Sequence, residues 1–311
     1  MSDTLLPFMF EAGDVRGAVV DLDQTWREVL RRREYPIPVR TLLGEAMAAA
    51  ALLSSTLKFD GTMVLQAQAE TPAAPVRVLV VECNADLTLR ATAKLAEDGA
   101  WDVTDKSLDA LVGAGRLVIT LDPKDGQSAY QGVVPLEGAQ LNVALENYMQ
   151  RSEQVETRLW LAADENRACG LMLQRMPRGG GKTAGKGSKA VPALGLEQSD
   201  DRWHTAQTLA DTVASAELLT LEPREVIRRL FHEFDLRLFN ERHAAFRCTC
   251  NRERVSGMLR MLGRSEVEEI LAERSSVSVS CEFCNKEYGF DAIDAAQLFV
   301  LPAGQASGTK H

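Results

Sequence analysis

Four of the six cysteines lie in the last 64 residues, as Cys248-Thr249-Cys250 and Cys281-Glu282-Phe283-Cys284, with thirty residues between the pairs. No other feature constrains the fold of this region as strongly. Two close pairs on separated loops can meet at one ion, and four thiolates satisfy a tetrahedral, sulfur-preferring metal, zinc above all. The segment 245–300 has only 56 residues, a size at which an apolar core alone is marginal. A structural zinc supplies about 10–16 kcal/mol of folding free energy, so such a unit folds with its metal and comes apart without it. The chain between the pairs reads as two helices, Arg254–Leu262 and Ser265–Ala272. Ser265 with Glu268 three residues on has the pattern of a capping box.

Metal-bound sulfurs are thiolates, and the thiolate is the oxidisable form. A disulfide across a Cys-x-Cys pair closes a very small ring, strained and therefore reducible, which suits a reversible switch. A static zinc ribbon is the alternative. A thioredoxin-like use of Cys281 and Cys284 lacks the strand-helix-strand setting. Cys83 and Cys169 are isolated.

Charge narrows the partners. The chain carries 35 basic and 44 acidic residues, a formal net charge of −9, and 245–300 is itself net acidic, with seven basic and nine acidic side chains. A nucleic-acid-reading zinc module would be basic, so nucleic acid is not an expected partner. The longest apolar stretch in the clearest helix, Ala46–Leu53, is far short of the roughly 20 residues that span a bilayer. The first fifteen residues hold no Lys or Arg and so lack a secretory n-region. The expectation is a cytoplasmic protein without a membrane partner, in which clustered thiols bind metal or do redox work.

The first 176 residues read as an α+β core: an antiparallel sheet carrying helices. Val39–Leu57 is an Ala-rich helix and Leu141–Arg151 a second. Strands are expected at Thr62–Ala69, Val76–Cys83, Leu87–Leu95, Arg116–Leu121, Ser128–Val134, Val155–Ala162 and Cys169–Met176. Met63, Leu65 and Ala67 alternate with Gln66 and Gln68, the pattern of a half-buried strand, and Asp125-Gly126 is a hairpin turn. Composition shifts at Pro177–Ala190, rich in Gly and Lys, which reads as a linker or exposed loop. Gly181-Lys182-Thr183 within it lacks the earlier glycine of a phosphate loop. In Asp201–Asn240 an amphipathic helix follows Thr220: Val226, Ile227, Leu230, Phe231 and Phe234 form one stripe, and Arg224, Glu225, Arg228, Arg229 and Glu233 the other. No convincing nucleophile–base pair is present, so an enzyme is not expected.

Taken together, these stretches resemble the heat-shock protein 33 family of redox-regulated holdase chaperones. The match rests on the cysteine spacing and on Phe246–Arg254 around the first pair. It also rests on Leu218-Leu219-Thr220-Leu221 with Arg228–Glu233, on Thr56–Gly61, and on Tyr130–Val134 with Arg151–Gln154. The resemblance implies a core at 1–177, a Gly/Lys-rich junction and metastable helical linker at 178–244, a zinc-binding redox domain at 245–300 and a tail at 301–311. One zinc per chain is expected on Cys248, Cys250, Cys281 and Cys284 in the reduced, inactive form. Oxidation would form Cys248–Cys250 and Cys281–Cys284 disulfides and release zinc. The active form, a homodimer, would then bind unfolding client proteins without ATP, with Val226, Ile227, Leu230, Phe231 and Phe234 as candidate client-binding residues. The alternative function is a translation or transcription accessory with a static zinc site.

Overall fold

The computed structural model describes residues 3–56, 60–96, 107–136, 140–176 and 196–299. They fall into two compact units, one within Met1–Arg247 and one within Cys248–His311. The Gly/Lys-rich run 178–190, the tail 301–311 and the last residue of the expected helix Val39–Leu57 lie outside the described residues.

The larger unit begins with β1 (Thr4–Phe10), β2 (Val15–Leu22), α1 (Gln24–Arg32) and α2 (Ile37–Ser54). An antiparallel meander follows, β3 (Gly61–Ala69), β4 (Val76–Asn84) and β5 (Thr88–Leu95), then α3 (Leu108–Leu111), β6 (Gly115–Pro123) and β7 (Tyr130–Pro135). α4 (Leu141–Tyr148) runs on through a π-turn to Glu153 and leads to β8 (Thr157–Ala163) and β9 (Ala168–Arg175). Three helices come next, α5 (Leu196–Ala210), α6 (Ser215–Thr220) and α7 (Pro223–Phe231), and then the short strands β10 (Leu236–Leu238), β11 (Arg242–His243) and β12 (Ala245–Phe246).

The fold class is mixed α+β, as the sequence indicates, but the strands divide between two sheets. One has the order β10-β1-β2-β9-β8, with β11 also on β1, and the other β12-β5-β4-β3-β6-β7. Among the described strands only β12 runs parallel to its neighbour. Asp125-Gly126 lies in the six-residue loop 124–129 that joins β6 to β7, where Gly126 takes the left-handed φ of +82° that glycine tolerates.

α2 explains why two sheets form. It is the one helix among the described residues long and apolar enough to cross a bilayer, yet from Ala46 to Ser54 it is buried on every side. Its residues Leu42, Leu43 and Ala46–Leu53 share one core with inward side chains of both sheets, among them Leu5, Val20 and Met172 from one and Met63, Leu65 and Val81 from the other. The small residues let two layers close on it: a Cβ on Gly44 would stand 2.5 Å from the Ala163 Cβ. The β1-β2-β9-β8 sheet is then covered on its other face by α5–α7. There Leu6, Phe8, Phe10, Val19, Cys169, Leu171 and Leu173 pack with Trp203, Ala206, Leu218, Val226, Ile227, Leu230 and Phe231. Polar groups fasten the same helices: Arg202 pairs with Asp14 at 2.5 Å, and Trp203 Nε1 donates to Glu156 at 2.8 Å.

The smaller unit holds α8 (Arg252–Leu262), α9 (Arg264–Glu273), the hairpin β13 (Val277–Ser280) and β14 (Glu287–Phe290), and α10 (Ala292–Leu298). The expected helix pair is present, with one correction. Ser265 does not cap α9. The chain reverses at Gly263, whose φ of +102° ends α8 and begins α9, so Ser265 falls inside the first helical turn.

Candidate metal centre

The hairpin positions two of the four cysteines. Cys281-Glu282-Phe283-Cys284 forms its turn: Cys281 N donates to Lys286 O at 3.0 Å and Asn285 N to Cys281 O at 2.8 Å. Asn285 takes the left-handed conformation, φ 57°, that sends the chain back into β14. The turn amides of Phe283 and Cys284 point at the Cys281 sulfur, and that of Lys286 at the Cys284 sulfur, so thiolate charge is met by backbone donors. Cys248 and Cys250 lie just ahead of α8, whose cap Asn251 accepts from Arg254 N at 2.8 Å.

The four sulfurs converge within 4.8 Å of one another. Cys248 and Cys281 Sγ are 3.7 Å apart, and Cys250 and Cys284 Sγ 3.3 Å. A tetrahedral ion with metal–sulfur bonds of about 2.3 Å sets its sulfurs about 3.8 Å apart, so the cluster fits one metal ion. Tyr288, on β14, donates its hydroxyl to Cys250 Sγ at 3.2 Å. Burial opposes ionisation of Cys250, but the Tyr288 hydrogen bond and the neighbouring thiols outweigh it and bring the group down to about 7. Burial pushes Cys281 upward and Cys284 to about 12. Beneath the cluster lies a small core of Leu259, Val267, Val277, Tyr288, Phe290 and Ala295. Arg252 caps it, stacking 4.2 Å over the Phe290 ring and pairing with Asp294 at 2.7 Å.

All four cysteines singled out from the sequence meet at this site. The stripe Val226, Ile227, Leu230 and Phe231 is buried in the larger unit against β1 and β2, and Phe234, just past α7, is half-buried beside them. Phe231 packs 5.6 Å from both Phe8 and Phe10, and Phe234 lies 4.9 Å from Phe10. The sequence reading missed Tyr288, whose role depends on hairpin register, and the strand pairing of residues 236–246, which the alternation Leu236-Arg237-Leu238 could have suggested.

Comparison with known proteins agrees along the whole chain. The model of the Hsp33 protein family matches residues 3–291. The 33 kDa chaperonin of Methylobacillus flagellatus is 46% identical over 301 residues, covering 96% of this chain and 95% of that protein. That of Ectopseudomonas mendocina is 44% identical over 313 residues, covering 100% of both. The crystal structure of the 33 kDa chaperonin from Thermotoga maritima shares the fold, with a TM-score of 0.77 at 21% identity over 95% of this chain and 97% of that one. A family match spanning the core, the docked helices and the four-thiol cluster leaves one conclusion: the chain belongs to the Hsp33 family.

Proposed function

We propose that the protein is a cytoplasmic, ATP-independent holdase chaperone switched on by oxidation. The observation that carries this reading is the four-thiol cluster itself. It fastens a unit with a six-residue buried core, and the chain that leads into it carries apolar helices docked on a sheet. In the reduced state Cys248, Cys250, Cys281 and Cys284 hold one zinc as thiolates. Two equivalents of peroxide remove four electrons and, with four protons, leave two disulfides and four waters. No thiolate is then left for the ion. The pairing proposed is Cys248–Cys250 and Cys281–Cys284. Without its metal the small unit unfolds, α5–α7 loosen, and the stripe from Val226 to Phe234 with the sheet face beneath it becomes available to unfolding proteins. The active form is proposed to be a homodimer.

The test compares reduced, zinc-loaded protein with peroxide-treated protein in suppressing the aggregation of a thermally unfolding client, with no nucleotide. Suppression by the oxidised form alone is expected. Equal activity in both states would mean a static metal site, and an ATP requirement would reject the holdase mechanism. Peptide mapping should find all four cluster thiols in disulfides; Cys83 or Cys169 in the dominant disulfide would overturn the wiring.

A further inference from the structure

After α7 the chain runs along the open edges of both sheets of the larger unit. Leu236–Leu238 pairs with Phe8–Phe10, Arg242–His243 with Thr4–Leu5, and Ala245–Phe246 with Thr88–Leu89. Phe239 N donates to Pro7 O at 3.0 Å and Ala244 N to Asp3 O at 2.9 Å, while Glu11 N donates to Asp235 O at 2.9 Å. On the other sheet Ala245 N donates to Leu87 O at 3.2 Å and Arg247 N to Leu89 O at 3.0 Å. One strap, 236–247, thus occupies the outer edges of β1 and β5. The next residue is Cys248.

An uncovered strand edge is a template for another extended chain. Asp3, Pro7 and Glu11 turn their peptide groups toward the strap. By the alternation of a strand, Leu5 and Met9 do so too, while Leu6 and Phe8 bond to β2. The edge also borders an apolar face. Leu236 lies opposite Phe10 and Leu238 opposite Phe8, and Leu6, Phe8 and Phe10 are the residues that α7 covers. Pro7 has no N–H to offer in the middle of the edge, and there the pairing divides into β10 and β11. Leu238 and Phe239 beside the gap are 39% and 42% exposed. A proline-interrupted edge resists long pairing with a second copy but accepts short extended segments on either side of the gap.

We propose that the strap is an internal stand-in for client chain: once it leaves, the β1 edge takes up short, extended, apolar segments of unfolding proteins by strand addition. The client's backbone replaces the strap's, and an apolar side chain enters the Leu6–Phe8–Phe10 face as Leu236 does. The pattern selected is that of Leu236-Arg237-Leu238, apolar residues two apart with no proline between them. This inference rests on the chaperone reading above and specifies where and how clients are held.

The test uses the full-length, peroxide-oxidised protein and reduced, alkylated α-lactalbumin as a permanently unfolded client. A synthetic peptide of residues 236–246 should displace the client. The same peptide N-methylated at Phe239 and Ala244 keeps every side chain but loses two backbone donors, and should compete roughly tenfold more weakly. In parallel, hydrogen exchange should show the Leu5 and Met9 amides becoming slow when client is added, with Leu6 and Phe8 unchanged. Equal competition by both peptides, or by neither while the client is still held, overturns the edge and leaves the chaperone reading standing. Unchanged Leu5 and Met9 exchange with client bound does the same. Failure of the oxidised protein to hold the client at all overturns both.

Discussion

Of the six thiols, two are kept as thiols chiefly by burial. Burial pushes Cys83 from 9.0 to about 12, and pushes Cys169 upward as well, with the carboxylate of Asp21 beside it adding to the effect. The folded protein holds the Cys83 proton that the unfolded chain gives up near pH 9. Stability from this group is therefore whole below pH 9 and is lost as pH rises toward 12. A Cys83→Ala variant should lose thermal stability less steeply across that window than the parent, as calorimetry over a pH series would show. The two thiols also sit in different places. Cys83 lies in the core around α2, and Cys169 under α5–α7. Alkylation of the oxidised, client-holding form should therefore label Cys169 and spare Cys83; equal labelling of both would mean that the helices had not lifted selectively. At the candidate metal centre, Tyr288→Phe removes the hydrogen bond to Cys250 and should cost about tenfold in retention of added zinc against a chelator, a typical loss for a partner that orients a metal-binding group. The four cysteines of the cluster were legible in the sequence because their paired spacing singles them out. Tyr288 was not, because only the β13–β14 register returns its hydroxyl to a cysteine 38 residues earlier.

Legibility of the elements depended in part on how many faces each one buries, although β9, buried at all but its last position, was still legible as a short apolar run. β3 was read correctly because one of its faces is open: Met63, Leu65 and Ala67 are buried while Thr62, Val64 and Gln66 are not. β1 and β2 were missed because the sheet they belong to is covered by α2 on one side and α5–α7 on the other. Val15–Leu22 is buried at all but one position, and a run buried on both faces has no two-residue period to detect. For α7 the sequence showed the stripe but not its surroundings. Phe231 fills the space between Phe8 and Phe10, and Phe231→Ala should cost roughly 3–5 kcal/mol of docking. If docking of this helix is what keeps the protein inactive, the variant should suppress client aggregation while still reduced and zinc-loaded. Wild-type silence in the variant, with α7 shown by hydrogen exchange to be loosened, would separate helix release from client binding.

At the scale of the whole chain the holds on the proposed switch are unequal, and their inequality sets an order of events. The unit that begins at Cys248 has a core of six buried residues and, on the proposed reading, depends on its metal, so oxidation should open it first. The strap 236–247 adjoins it and is held by three short runs of pairing, of three, two and two residues. Each backbone hydrogen bond there contributes about 0.5–1.5 kcal/mol net, and its apolar anchors are small or half-buried: Leu236, Ala244 and Phe246. The helices α5–α7 are fastened by large side chains, Trp203, Ile227, Leu230 and Phe231 among them, all buried within the larger unit. At about 1.5–3 kcal/mol for each such side chain, this docking outlasts the strap's. Hydrogen exchange on oxidised protein over a temperature series should therefore show 248–299 fast at every temperature, the strap lost next, and α5–α7 released last, with β3, β4 and β6 protected throughout. Loss of α5–α7 before the strap would invert this order. It would mean that the helices, not the paired edges, are the first surface that a client meets.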